Sequence, residues 1–198
     1  QGGAPSGCRF DAVFVCDTPK PEMIEAPEWA GAIMRDPGVL RIEIDHHLGA
    51  DSAYIGDRGY RLVAAASSAS ELVGRLALRL RRRHDLLSRF QINDPFSRNF
   101  VLAVLTGIIG DSKMGQYLKS RTERWYYRRF SRMFDHLLTR QTVRESNLAD
   151  MAQVFGELQK LSTREQKCLD LFLGRAQHSD SVTWVALTER DFDGVECD

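Results

Sequence analysis

A chain of 198 residues with 43% hydrophobic and 27% charged side chains has room for one sizeable domain, or a domain and part of a second, and its composition is that of a soluble globular protein. Its 27 basic and 27 acidic residues cancel to a formal net charge of zero, which excludes a molecule held to nucleic acid by overall charge. No apolar run approaches the roughly 18 residues needed to cross a bilayer, and no signal-peptide pattern opens the chain.

Along the chain, Asp11 to Cys16 (DAVFVC) is short, apolar and β-branched and predicts a buried strand, stopped by Asp17-Thr18-Pro19. Trp29 to Met34 predicts a short helix closed by Asp36-Pro37-Gly38. Val39 to Ile44 (VLRIEI) predicts a second strand, ending in Asp45-His46-His47. Two apolar strands around a helix predict a βαβ unit and a parallel sheet. Arg61 to Ala65 is a candidate third strand. Ser67 or Ser68 opens a helix, and Ser68 with Glu71 has capping-box spacing ahead of Leu72, Val73, Leu76 and Leu80. Arg79 to His84 gives that helix a basic end, suited to the negative pole of its dipole. Asn93-Asp94-Pro95 is a break, and Ser97 to Gly110 predicts a strongly apolar helix. Helices are expected over Lys119 to Arg140, Val143 to Leu161 and Thr163 to Leu173, then a strand over Val182 to Leu187.

The four cysteines, at positions 8, 16, 168 and 197, have neither C-x-x-C spacing nor a matching histidine pair, so free thiols in a reducing cytoplasm are expected. The start at Gln1 and the stop at Asp198, just after an apolar run, read as cuts through a longer protein.

Asp17 and Asp45-His46-His47 each follow a predicted strand, at the sheet edge where open parallel sheets bind ligands. Carboxylates with imidazoles form a mixed oxygen and nitrogen set that suits a divalent ion such as Mn²⁺. Asp111 adds a third carboxylate, expected at the end of a Gly-rich turn, Gly107 to Asp111. Each piece has an ordinary alternative. Asp17 alone is equally a turn former, Asp45 equally a structural partner of His46, and Asp111 equally turn chemistry. The three together are more specific.

VFVCD, EIDHH, SSASELV and GIIGDS, in that order over about residues 11 to 115, resemble the DHH phosphoesterase family, which contains RecJ-type exonucleases, nanoRNase and pAp phosphatases, cyclic-di-AMP phosphodiesterases and family II pyrophosphatases. The resemblance implies an α/β DHH domain with a parallel sheet flanked by helices over 1–140, a helical connector over 141–178, and the start of a second, substrate-binding α/β domain over 179–198. It also implies residue roles. Asp17 matches a metal-bridging aspartate, and His46 and Asp111 match ligands of a second metal. Asp45 supports that shell by hydrogen bonding, and His47 faces the phosphate and protonates the leaving oxygen. Ser67, Ser68 and Ser70 match a serine-rich segment beside the phosphate, helix capping being an equal reading for Ser68. Two departures stand out. The family's first motif, a histidine with two aspartates after the first strand, is absent and is expected upstream of Gln1; without it this stretch alone would be poorly active. Asp111-Ser112-Lys113 replaces the common Asp-Thr-Gly, with Ser112 keeping a hydroxyl and Lys113 either reaching a phosphate or lying solvated in a turn.

The activity implied is two-metal, water-activated phosphoester hydrolysis with Mn²⁺, or Mg²⁺ or Co²⁺, as cofactor, on a short oligonucleotide or small nucleotide, in the cytoplasm, with no membrane partner and a homodimer allowed. A cyclic-dinucleotide phosphodiesterase and a non-catalytic nucleotide-binding regulatory module with an incomplete metal site are the alternatives. Lys119 to Leu137 bears on the substrate. At about 100° per residue, Tyr126, Phe130, Met133, Phe134 and Leu137 fall on one side, the predicted core side. Arg121, Arg124, Arg128 and Arg132 form a stripe opposite. Arg124 and Arg128 are candidates to guide a nucleotide chain, a solvated helix face being the alternative. Trp125 lies between the faces, and His84 and His136 read as ordinary surface residues.

Overall fold

The computed structural model describes residues 9–24, 27–139, 150–192 and 194; the expectations for 140–149 and for Cys8 and Cys197 lie outside them. The chain divides into two compact units, Gln1–Phe155 and Gly156–Asp198. The described residues form a mixed α/β protein with seven α-helices, a three-stranded parallel sheet and a two-stranded antiparallel one. None of the described helices is long and apolar enough to cross a membrane.

The first unit begins with the expected βαβ arrangement. Strand β1 (Ala12–Cys16), helix α1 (Glu28–Arg35) and strand β2 (Leu40–Asp45) follow in order. β1 and β2 pair in parallel with Ala12 opposite Leu40 and Cys16 opposite Ile44. β3 (Arg61–Val63) pairs in parallel on the other side of β2. The sheet order β1-β2-β3 makes β2 central, and its last three residues, Glu43, Ile44 and Asp45, are all buried. Two of those three are carboxylates. Glu43 Oε2 accepts a 2.9 Å hydrogen bond from the Gly56 amide and lies 3.9 Å from Arg61 Nε, which offsets part of the cost of burying its charge.

Helix α2 (Ala69–Leu80) starts where its capping signal predicts. Ser68 Oγ accepts from the Glu71 amide at 3.1 Å. The reciprocal half of the box is displaced by one residue: the Glu71 carboxylate accepts from the amide of Ser67 at 3.0 Å and from its hydroxyl at 2.6 Å. α3 (His84–Arg89) is a short helix that the sequence pattern does not announce. α4 (Arg98–Ser112) and α5 (Arg121–Thr139) complete the helical layer, and α6 (Met151–Leu158) adds the buried Val154.

The core lies where α2, α4 and α5 meet. Val101, Leu105, Ile108 and Ile109 of α4 and Phe130 and Phe134 of α5 are wholly buried. Burying each of the two phenylalanines contributes about 1.5–3 kcal/mol. The aromatic side of α5 is thus core, as its periodicity predicts, with Tyr126, Met133 and Leu137 packed against it. One expectation fails here. Asp111 does not end a Gly-rich turn but occupies the last turn of α4, which stops two residues later at Lys113 with φ 43°. The apolar Ile108-Ile109 pair sits in the core and carries the helix through both flanking glycines.

The second unit, taken by itself, holds α7 (Thr163–Gly174), opened by a full capping box between Ser162 and Glu165, and a hairpin of β4 (Ala176–Ser179) and β5 (Val182–Val185). β5 meets its expectation. β4, Ala-Gln-His-Ser, has no apolar alternation and is legible only through its pairing with β5. Cys168 on α7 is disulfide-bonded, which corrects the free-thiol reading for that residue, whereas Cys16 is free.

Candidate metal centre

The sheet places the acidic and imidazole groups by its register. The Asp17 amide donates to the Ile44 carbonyl at 3.1 Å, continuing the β1–β2 ladder one step beyond β1. Asp17 then turns into the left-handed region at φ 55°, a conformation that Asp tolerates better than most residues. Asp45 is the last residue of β2, so Asp17 and Asp45-His46-His47 arrive together at the carboxyl edge of the sheet.

Asp45 is completely buried and holds His47 twice: Oδ1 accepts from the His47 amide at 3.0 Å and lies 2.7 Å from His47 Nδ1. His46 Nδ1 lies 3.4 Å from the Ala66 carbonyl oxygen. A carbonyl only accepts, so a neutral ring carries its proton on Nδ1 and a lone pair on Nε2. His46 Nε2 is 3.2 Å from Asp17 Oδ1 and 3.7 Å from Asp111 Oδ2. Three acceptor atoms therefore converge, and they repel one another unless a proton or a cation lies among them. Burial, first, and the charge of Asp17, second, push the Asp111 carboxyl above its ordinary range, against the opposing pull of His46 and His47.

The residues present fit a divalent cation. Asp17, Asp45, His46 and His47 each offer one ligand atom within 4.8 Å of all the others. Asp45 Oδ2 is buried with no hydrogen-bond partner among the described residues, a costly state for a carboxylate oxygen that a cation would relieve. Carboxylate oxygens with a neutral imidazole nitrogen whose other nitrogen is held by a backbone carbonyl form a familiar arrangement for a borderline divalent metal.

Asp17, His46, His47 and Asp111 line a cleft of about 500 Å³, with Asp45 buried behind them. Ser67 and Ser112 also line it, but both hydroxyl protons are committed: Ser67 donates to Glu71, and Ser112 donates to the Ile108 carbonyl at 2.6 Å. The other expected substrate-binding residues lie elsewhere. Ser68 is buried as the cap of α2. Ser70 packs against α4 at Gly107, where a Cβ would come within 2.1 Å of its hydroxyl oxygen. Lys113 projects over the Tyr117 ring, 5.5 Å from its centroid, and does not line the cleft. Arg124 and Arg128 line a separate groove.

Lys119, Tyr117 and Glu123 also line the cleft, beyond the residues expected from the sequence. A signal for them exists. Ser120-Arg121-Thr122-Glu123 has capping-box spacing: Ser120 Oγ accepts from the Glu123 amide at 3.1 Å, and Glu123 Oε2 accepts from the Ser120 amide at 3.2 Å. That box opens α5 and fixes Lys119 at the cleft. No family model matches this chain and no curated protein matches it, so the DHH resemblance rests on its motifs alone.

Proposed function

We propose that this chain carries the metal-binding core of a DHH-type, manganese-dependent phosphoesterase acting on short oligonucleotides or small nucleotides. The observation that carries this reading is the convergence of His46 Nε2 with Asp17 Oδ1 and Asp111 Oδ2 in one cleft at the sheet edge, beside a part-exposed His47 held by the buried Asp45. Asp17, His46 and Asp111 would hold a divalent ion. Such an ion supplies a water of lowered pKa and positive charge on the phosphoryl oxygens.

The chain's own residues do the rest. Asp45 fixes the His47 ring through Nδ1, and the remaining ring nitrogen has no partner among the described residues, which suits proton delivery to a leaving oxygen at the cleft. Ser67 and Ser112 have no proton left to donate, so the exposed Lys119, not the serine-rich segment, is the cleft's cationic donor for a substrate phosphate.

A second reading, a nucleotide-binding module with an incomplete metal site, is favoured by one fact: the described residues gather a single donor cluster of this kind. One experiment separates them. Mn²⁺ is titrated calorimetrically into the full-length natural protein, and a linear dinucleotide, a cyclic dinucleotide and a 3′,5′-bisphosphate nucleotide are followed by chromatography. Turnover of any one, abolished by chelator and by Asp111→Ala, supports the phosphoesterase and names its substrate class. Bound Mn²⁺ without turnover of any supports the module. Absence of Mn²⁺ binding removes both.

A further inference from the structure

A groove of about 750 Å³ runs along α5 and is lined by Arg81, Arg121, Arg124, Arg128, Arg129 and Arg132 around Trp125. Among the described residues, no carboxylate lines it. In a chain whose charges cancel to zero, this is a concentration of positive charge that composition does not impose. Arg121, Arg128 and Arg132 are exposed and make no ion pair among the described residues. Arg81 reaches Asp94 only at 3.9 Å.

The aromatic group is placed as deliberately as the charge. Trp125 is 52% exposed although it sits on a helix whose other aromatic side chains pack inward. Its ring is braced edge-on by Tyr126, with centroids 4.8 Å apart, and by the Arg129 guanidinium 5.2 Å from its centroid. Arg129 Nε is buried and has no hydrogen-bond partner among the described residues. An exposed indole held rigid between arginines offers a flat apolar face beside a row of phosphate donors. That combination serves a base with its backbone, because each nucleotide brings one π-face and one negative charge. An acidic peptide would use the arginines but leave the indole idle.

The groove also has a direction. Arg121 and Arg124 open it, while Lys119 and Glu123, in the same turn of chain, line the metal cleft. From Arg121 to Arg132 the helix rises roughly 16 Å, enough for a few extended nucleotides.

We propose that this groove is a binding track for single-stranded nucleic acid, with Trp125 as the stacking platform and Arg121, Arg128 and Arg132 on the phosphates, leading a strand end to the cleft. A nucleotide strand as the ligand rests on the function proposed above, and removing the metal keeps the two tests apart. Fluorescence anisotropy with a short labelled oligothymidylate is measured on the whole protein with chelator present. Binding is expected, weakening linearly in log Kd against log salt. Arg128→Gln with Arg132→Gln should shrink that slope by about 1.4, at about 0.7 for each phosphate of a single strand that is no longer neutralised. Trp125→Ala should weaken binding about tenfold with an unchanged thermal midpoint. Because the chelator removes any metal from this assay, a failed metal site leaves this result standing. Binding that ignores Trp125→Ala, equal binding of polyglutamate, or no binding at low salt would overturn the track.

Discussion

At the scale of single residues, the site works through fixed orientations. Asp17 is half exposed, and its side chain's closest partner among the described residues is His46 Nε2 at 3.2 Å. Asn tolerates the same left-handed backbone, so Asp17→Asn removes charge without straining the turn. It should lower Mn²⁺ affinity at least tenfold by calorimetry while leaving the urea midpoint unchanged; unchanged affinity would strip Asp17 of its ligand role. His47→Ala should cut turnover far more than Mn²⁺ affinity, because His47 Nδ1 is taken by Asp45 at 2.7 Å whereas His46 Nε2 is the imidazole nitrogen that faces Asp17 and Asp111. Abolished metal binding would mean that the two histidines exchange roles. Asp17, Asp45, His46 and His47 were legible in the sequence because a strand end dictates where its next residues go. Arg124 and Arg128 were legible as part of an exposed stripe by their helical period, whereas Ser70 and Lys113 were not, because their direction depends on what packs beside them. Ser70 faces Gly107 and the two arginines face the groove.

At the scale of elements, the helices were legible by periodicity and the contacts between them were not. Gly110-Asp111 resembled a turn, yet α4 runs through it because Ile108 and Ile109 are wholly buried. The six-residue α3 and the polar β4 carry too little pattern to be seen. Gly74 is mid-helix in α2, where glycine costs about 1 kcal/mol against alanine. Its use is close approach: a Cβ there would meet Phe130 Cζ at 2.5 Å and Val104 Cγ1 at 2.9 Å. Phe130 is wholly buried and has nowhere to retreat. Gly74→Ala should therefore destabilise the protein by about 1–3 kcal/mol in urea unfolding, despite the better helix former. A gain in stability would show that the α2–α5 contact is looser than these distances.

At the scale of the whole molecule, zero net charge hides segregation: arginines along α5, and carboxylates at the sheet edge and in surface ion pairs. Those pairs set the acid limb of stability. Asp57 accepts from the Arg41 amide at 2.9 Å and from Arg41 Nε at 3.0 Å, tying the β2–β3 connection to β2. The Arg41 side chain, then its amide, hold the Asp57 carboxyl below its ordinary range. Asp85, bonded chiefly by the Arg83 side chain, is drawn down to about 2. A carboxyl whose folded pKa is depressed binds fewer protons folded than unfolded between the two values, so stability rises with pH across that window. Both contributions are complete above the unfolded pKa of roughly 4 and are lost as pH falls toward their folded values. Both groups reach solvent, so added salt weakens each pair. Asp57→Asn should accordingly flatten the dependence of the urea midpoint on pH below about 4 and leave the slope above about pH 5 unchanged. An acid limb as steep in Asp57→Asn as in the unmodified protein would show that Arg41 holds Asp57 no more strongly in the folded chain than in the unfolded one.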